Sequence, residues 1–476
     1  MSEGRTADPG IEAPPPVTMQ LAQFAAGLEH RGLPRAVRAA LTGALLDYLR
    51  VASLGARMPW SGWALQLARE LGGHGRAGVL FSREHTDPER ATLVNATYAG
   101  SIDADDVHVG SMLHPGCVVI SAALAMGQAR AASGARVLAA IAAGYETMIR
   151  IGLALQPSHF RRGFQSTATC GVFGAATAAA CVTFNGADRT LRIAQALGLA
   201  ASFSGGLTQF YHSGSTVKRI HAAHAAREGV HATLLTEAGF SGPTDILEGR
   251  DGYARAYADG HDFDRALVAL GERWRLLETA VKPHACSARV LAAIEATAGL
   301  CREHGIDAGA VEQVRVGIPR IIQGRLTVGS PADIQAAQMS LPFCVAMVLD
   351  KGAALAPGFV LNVEDFAAAL DRAPVRALAQ QVQCVLDPDA ERVSTEQSVG
   401  ARVILRLRSG EQFERFIEAP QGAASRPFTL DDHFARCEQE LARRLAPGAL
   451  AAMLDEVRAF DRAPAVDRLM ELLAGG

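Results

Sequence analysis

With 476 residues, 49% of them hydrophobic and 20% charged, the chain has the composition of a globular protein with room for two or three domains and a large core. Its 46 basic and 49 acidic residues leave a formal net charge of -3, and aromatics make up only 6%, so there is no electrostatic case for a nucleic acid or an anionic membrane as partner. Eight cysteines, none in a C-x-x-C pair, argue against a zinc cluster or thioredoxin-type motif and for reduced thiols in a cytoplasmic protein.

The opening "MSEGRTADPGIEAPPPVTM" is rich in Pro, Gly and charge and lacks the apolar centre of a signal peptide, so residues 1–16 are expected to form a disordered tail. No uninterrupted apolar run of about 18 residues follows, and no membrane span is expected. From 17 to 274 the pattern is helical. "PRAVRAALTGALLDYLRVASLGA", "ARVLAAIAAGYETMIRIGLALQ" and "TCGVFGAATAAACVTFNG" carry apolar residues at three-to-four spacing, rich in alanine and glycine, which lets helices approach closely. Over 275–415 "VEQVRVGIPR", "VQCVLDPDA" and "GARVILRLRSGEQFERFIEAP" alternate apolar and polar residues as strands do, the last as a hairpin, with helical stretches between them. Residues 416–476 return to helix and are expected to pack on the first domain. The fold class expected is mainly α: a large all-helical domain plus a smaller α+β lid domain. No fixed-period repeat is present, which weakens a solenoid reading.

Four stretches carry chemistry. In "DADDVHVGSMLHPG", Asp103, Asp105, Asp106, His108 and His114 fall between two apolar helical runs. Aspartates there can simply cap the helix that starts at Pro115. The density of charge favours a working group, because burying it without a task is costly. D-x-D-D-x-H also offers oxygen and nitrogen ligands, but its spacing matches no metal signature, and no metal is assigned. In "GSTVKRIHAAHAAREGV", Lys218, His221 and His224 share one side of a helix, either as a solvent-facing basic stripe or as partly buried groups that grip a carboxylate. In "ETAVKPHACSARVLAAIEA", Lys282, His284, Cys286 and Ser287 lie on a loop feeding a helix start, a natural anion site; Cys286 lacks any nucleophile signature and reads as structural. "RRGFQSTATCGVFGAATAAA" places small hydroxyl residues before a Gly-rich helix without the P-loop pattern, which removes a nucleotide P-loop.

In their order, "NATYAGSIDADDVHVGSMLHPGCVVISAALA", "GYETMIRIG", "GFQSTATCGVFGAATAAA", "GLTQFYHSGSTVKRIHAAHAAREG", "VKPHACSARVLAAIEA" and "QMSLPFCVAMVLDKG" resemble the MmgE/PrpD family over most of the chain. The resemblance implies a helical domain and an α+β lid with the active site in the cleft between them, a homodimer, and no redox cofactor. Its activities are 2-methylcitrate dehydration, cis-aconitate decarboxylation and iminodisuccinate epimerisation, all on small polycarboxylates. Carried over by motif, the catalytic residues are Asp103, His114, Lys218 and Lys282; His108, Gln165, His221, His284 and Ser287 are expected beside them as substrate-binding residues. Asp103 and His114 are expected to supply acid/base groups, or Asp103 to orient an imidazole, while Lys218 and Lys282 neutralise substrate carboxylates and an enediolate-like charge. Three positions depart from the family pattern: Val107 replaces a threonine of the decarboxylase, Gln165 a frequent histidine, and Ser287 a decarboxylase histidine. Glutamine cannot cycle a proton near neutral pH as imidazole does. The expectation is therefore a cofactor-independent lyase of the 2-methylcitrate dehydratase type, with an epimerase of a substituted dicarboxylate as alternative and a decarboxylase less favoured. A metal-dependent hydrolase and a non-catalytic helical scaffold are the readings from other classes.

Overall fold

A computed structural model describes residues 15–213, 215–356, 358–395 and 397–474. The expected tail lies outside the described residues up to residue 14, and helix Val17–Gly27 begins directly after Pro15 and Pro16. The protein is mainly α and has two apolar cores. The larger gathers buried side chains from Leu21 to Leu276 and, from the far end of the chain, Phe434 to Leu473. The smaller is formed within 286–417.

Helices Pro115–Ala129, Gly134–Leu155, Ser166–Thr183 and Lys218–Ala238 form the centre of the larger core. Their small residues are what allows this. A Cβ added at Gly144 would lie 2.7 Å from the carbonyl oxygen of Gly174, and one added at Gly229 would lie 2.4 Å from Ala175 Cβ. Only glycine permits such backbone approach. Helices Gly134–Leu155 and Ser166–Thr183 are long and apolar enough to cross a membrane, yet 100% and 94% of their apolar windows are buried inside the protein. Inside the first of them, Arg150 pairs with Glu146 at 2.9 Å and donates to the carbonyls of Ala266 and Arg273. A buried ion pair needs such extra partners to offset its desolvation.

The smaller core wraps a four-stranded sheet. Strand Val382–Leu386 runs parallel to Val311–Ile318, which pairs antiparallel with Ala401–Leu407, and Gln412–Ile417 closes the hairpin at the other edge. Val314, Val316, Val403 and Leu405 turn inward against helices Leu291–His304 and Leu341–Lys351. The stretch "NVEDFAAALDRAPVRALAQQV" forms two helices, Val363–Leu370 and Ala373–Gln381, divided at Asp371 and Arg372 with Pro374 opening the second. Proline is tolerated in a first turn and not beyond it.

The two cores meet at a small apolar cluster in which Ile102 and Ala104 touch Ala285 and Val363. Gln338 holds the seam from the smaller core: its amide donates to the carbonyls of Ile102 and Ala285, and its oxygen accepts from Arg219. Helix Leu430–Leu441 packs on helix Arg35–Gly55, and its Arg436 donates to the carbonyl of Lys282.

Candidate active site

The segment Ile102–His114 leaves helix Pro88–Gly100 and doubles back on itself before helix Pro115–Ala129. Val107 exchanges both backbone hydrogen bonds with Ala280, and His108 N–H donates to Leu113 O. The first pairing brings Lys282 alongside Asp103. Asp103 sits at φ +62°, a left-handed conformation that aspartate tolerates better than most residues. Strained backbone at a charged, buried position is a common mark of a working site.

A chain of charges follows. The Asp103 carboxylate accepts from Lys218 Nζ at 2.5 Å and from Lys282 Nζ at 2.9 Å. Lys282 reaches on to Asp105 at 3.4 Å, and the other Asp105 oxygen lies 3.2 Å from His114 Nδ1. Burial disfavours the Asp103 carboxylate, but the ammonium groups of Lys218 and Lys282 outweigh it and hold Asp103 well below the usual carboxylate range. Asp105 is lowered on the same balance, burial being overcome by His114 and Lys282. Burial alone would discharge Lys282; Asp103 and Asp105 reverse that and raise it. Asp103 is thus the shared counter-ion of two lysines.

His114 is oriented by other groups. Its Nδ1 lies 2.8 Å from the main-chain oxygen of Asp106, with Asp105 as second partner. Nδ1 therefore carries the proton, and Nε2 is the ring nitrogen left for chemistry. The Asp106 carboxyl faces away from the lysines, taking Gly116 N–H at 2.9 Å and Tyr145 O–H at 2.8 Å. Burial pushes it up to about 7, against the pull of those two donors. A Cβ at Gly116 would lie 2.8 Å from Asp106 Oδ1, so glycine is needed there. Asp106 caps the helix, as an aspartate before Pro115 can; Asp103 and Asp105 do not.

One cavity is lined by Asp103, His114, Lys218 and Lys282, which the structure brings together from three separate segments. Gln165 and Ser287 line it too, and so does Val107. All three departures from the family pattern therefore fall on one wall system. Gln165 is the cap of helix Ser166–Thr183, its Oε1 accepting from Ala168 N–H at 2.6 Å, which leaves its amide N–H groups to donate. Ser287 caps the short helical turn Ala288–Val290.

His108, His221 and His284 stand outside the cavity lining. His108 points the opposite way from Val107, as successive residues of extended chain do. Its Nδ1 lies 2.8 Å from Ser111 Oγ, and its Nε2 3.5 Å from Glu278. His221 packs edge-on against Phe210, and burial lowers it to about 4. His284 accepts from Leu361 N–H, packs on Phe359, and is lowered by burial to about 3. The last two are neutral at neutral pH.

Arg289, which sequence reasoning passed over, also lines the cavity. Among the described residues no carboxylate lies within ion-pair distance of its guanidinium, and burial lowers its pKa. With Lys218 and Lys282 balanced by Asp103 in the lining and by Asp105 behind it, Arg289 leaves the site one positive charge in excess when His114 is neutral. A signal was present: a cation at the start of a helical segment opposes the helix dipole, so something other than the helix selects it.

Two family models match the chain. The MmgE/PrpD N-terminal domain covers residues 19–266 and the MmgE/PrpD C-terminal domain residues 284–457. Among curated relatives, the cis-aconitate decarboxylase-like protein oryM of Aspergillus oryzae (strain ATCC 42149 / RIB 40) is 26% identical over 485 aligned positions, covering 96% of this chain and 97% of that protein. The cis-aconitate decarboxylase of Aspergillus terreus is 25% identical over 431 positions, 85% of each chain.

Proposed function

The chain belongs to the MmgE/PrpD family, and from that premise we propose that it is a cofactor-independent lyase that moves a proton at a carbon beside a carboxylate of a small polycarboxylate, of the hydro-lyase kind. The observation that carries this reading is the clamp on His114 Nδ1, which leaves Nε2 as an acceptor in a cavity that also holds Lys218, Lys282 and Arg289. One substrate carboxylate pairs with Arg289. A second takes ammonium donors of Lys218 that Asp103 does not use, since an ammonium has three. His114 Nε2 then removes the proton from the carbon beside that carboxylate, and the C–H pair moves into an enediolate held by the cations. The enediolate collapses to a double bond as the β-hydroxyl leaves. That hydroxyl takes the proton from the imidazolium and departs as water, and His114 is regenerated.

A second reading is decarboxylation, and the names of the two relatives favour it. The same imidazole would begin protonated, deliver its proton to a carbon of an unsaturated acid, and CO₂ would leave. Proton NMR in D₂O with 2-methylcitrate, citrate, cis-aconitate and small hydroxy- and amino-dicarboxylates separates these readings. A new olefinic signal from a hydroxy acid without CO₂ supports the hydro-lyase. CO₂ release from cis-aconitate supports the decarboxylase instead. Loss of an α-proton signal on an unchanged skeleton would overturn both in favour of an epimerase.

A further inference from the structure

Far from the site just described, a cavity of about 450 Å³ opens where the end of helix Val17–Gly27 meets the starts of helices Gly134–Leu155 and Arg189–Ser202. That is within the size range of small-molecule sites. Its floor is apolar, from Leu28, Ala135, Ala139 and Ala140, and its polar groups include Arg31, Arg136 and Arg189. A second depression shares His30 and Asp461 with it and adds Arg35, Arg38 and Arg458. Along this groove six arginines face two acids, Glu29 and Asp461, on a chain whose formal net charge is -3.

Arg136 and Arg189 are both partly buried and converge on one acceptor, the carbonyl of Cys181, at 3.1 and 3.2 Å. Arg136 also donates to Phe184 O and Arg189 to Ala26 O. Capping helix ends accounts for those donors. It does not account for two like charges set together with no carboxylate in ion-pair distance of either among the described residues. Burial lowers the Arg136 guanidinium, and Arg189 lowers it further.

We propose that this groove is a second ligand site, independent of the lyase cavity, that binds a small organic anion carrying at least two negative charges, phosphate or carboxylate, with its apolar part on the alanine floor. The anion would supply the counter-charge that Arg136 and Arg189 lack and relieve their mutual repulsion.

The test is isothermal titration calorimetry of the full-length protein at low ionic strength, with inorganic pyrophosphate and with tricarballylate as separate probes. Because a tricarboxylate also fits the lyase cavity, each probe is titrated into Lys218→Met as well; saturable binding of at least one probe that survives this substitution is expected, and which probe binds that variant more tightly separates phosphate from carboxylate. Arg31 is exposed and among the described residues pairs only with Glu29, so Arg31→Glu is expected to leave the fold intact and to weaken binding by about two- to fivefold through the rim charge. Arg189→Gln should weaken it about tenfold or more through a lost charge-assisted contact. Lys218→Met, which alters the lyase cavity, should leave pyrophosphate binding unchanged. Absence of saturable heat from both probes overturns the proposal, as does binding insensitive to Arg31→Glu or abolished by Lys218→Met. A dimer in the wild type that Arg31→Glu dissociates would also overturn it, by showing the groove to be covered by a second copy.

Discussion

Replacing Asp103 by asparagine removes one charge and turns one of the two lysine-facing acceptors into a donor. Asparagine accepts the left-handed backbone found at φ +62°, and its oxygen still takes one ammonium donor. At an effective dielectric of about 20, unit charges at the observed 2.5 and 2.9 Å attract by about 6 kcal/mol each, or about 12 in all before solvation. The variant avoids the desolvation of one carboxylate, several kcal/mol, but keeps that of two ammonium groups. Lys282, 1% exposed, would retain only Asp105 at 3.4 Å. The net expectation is a loss of about 3–5 kcal/mol, as for other buried pairs deprived of one partner. Because Asp103 is held well below its ordinary range in the folded protein, its contribution is complete above the unfolded-state value of about 3.9. It fades as pH falls through the lower folded-state value. Urea denaturation should therefore show a constant gap between wild type and Asp103→Asn from about pH 8 to 5, narrowing below about pH 4. A gap under about 1 kcal/mol at neutral pH, or one that persists undiminished into strong acid, would refute the counter-ion role.

Three further outcomes follow from the same geometry. His114→Gln should lower kcat by about 10²- to 10⁴-fold with an unchanged circular dichroism spectrum, since it deletes the proton acceptor; a loss under about tenfold would remove His114 from that role. Arg289→Gln should raise KM about tenfold or more with kcat within about threefold, the signature of a contact made equally in ground and transition states; a fall in kcat at constant KM would contradict it. For Asp106 the sign reverses. Burial lifts its folded-state value to about 7, above the unfolded one, so stability falls as pH rises between about 4 and 7 and levels off beyond. Asp106→Asn keeps an acceptor for Gly116 N–H and should gain on the wild type by up to a few kcal/mol across that window; equal relative urea midpoints at about pH 5 and 8 would contradict it.

Periodicity was enough to read the long helices and the hairpin over 401–417, because each is a local pattern set by burial of one face. The break at Asp371–Arg372 was not read, although Pro374 was there to signal it. Motif order named Asp103, His114, Lys218 and Lys282, which do line one cavity. It could not say how they divide the work. That Asp103 lies between two lysines while Asp105 and the Asp106 carbonyl hold the imidazole depends on a backbone turn and a two-residue bridge, neither of which spacing reveals. The histidines show the opposite failure. His108 sits in a dense charged stretch, yet the alternation of extended chain turns it from the cavity that Val107 faces. His221 shares a helix side with His224 but is packed against Phe210.

If the proposed lyase reading holds, the division of the cavity between the two cores sets a condition on when the protein becomes active. Asp103, His114 and Lys218 come from segments of the larger core, whereas Lys282 and Arg289 belong to the strand of chain that enters the smaller one, fastened by Gln338. A nascent or clipped chain ending before residue 280 would carry the acid–base group with one lysine, and the remainder would carry the other cations with nothing to balance them. Neither piece would hold the full set of groups that the proposed proton transfer uses. On the proposed reading, turnover would thus be a readout of completed synthesis and docking, and partial products, however well folded, would stay silent.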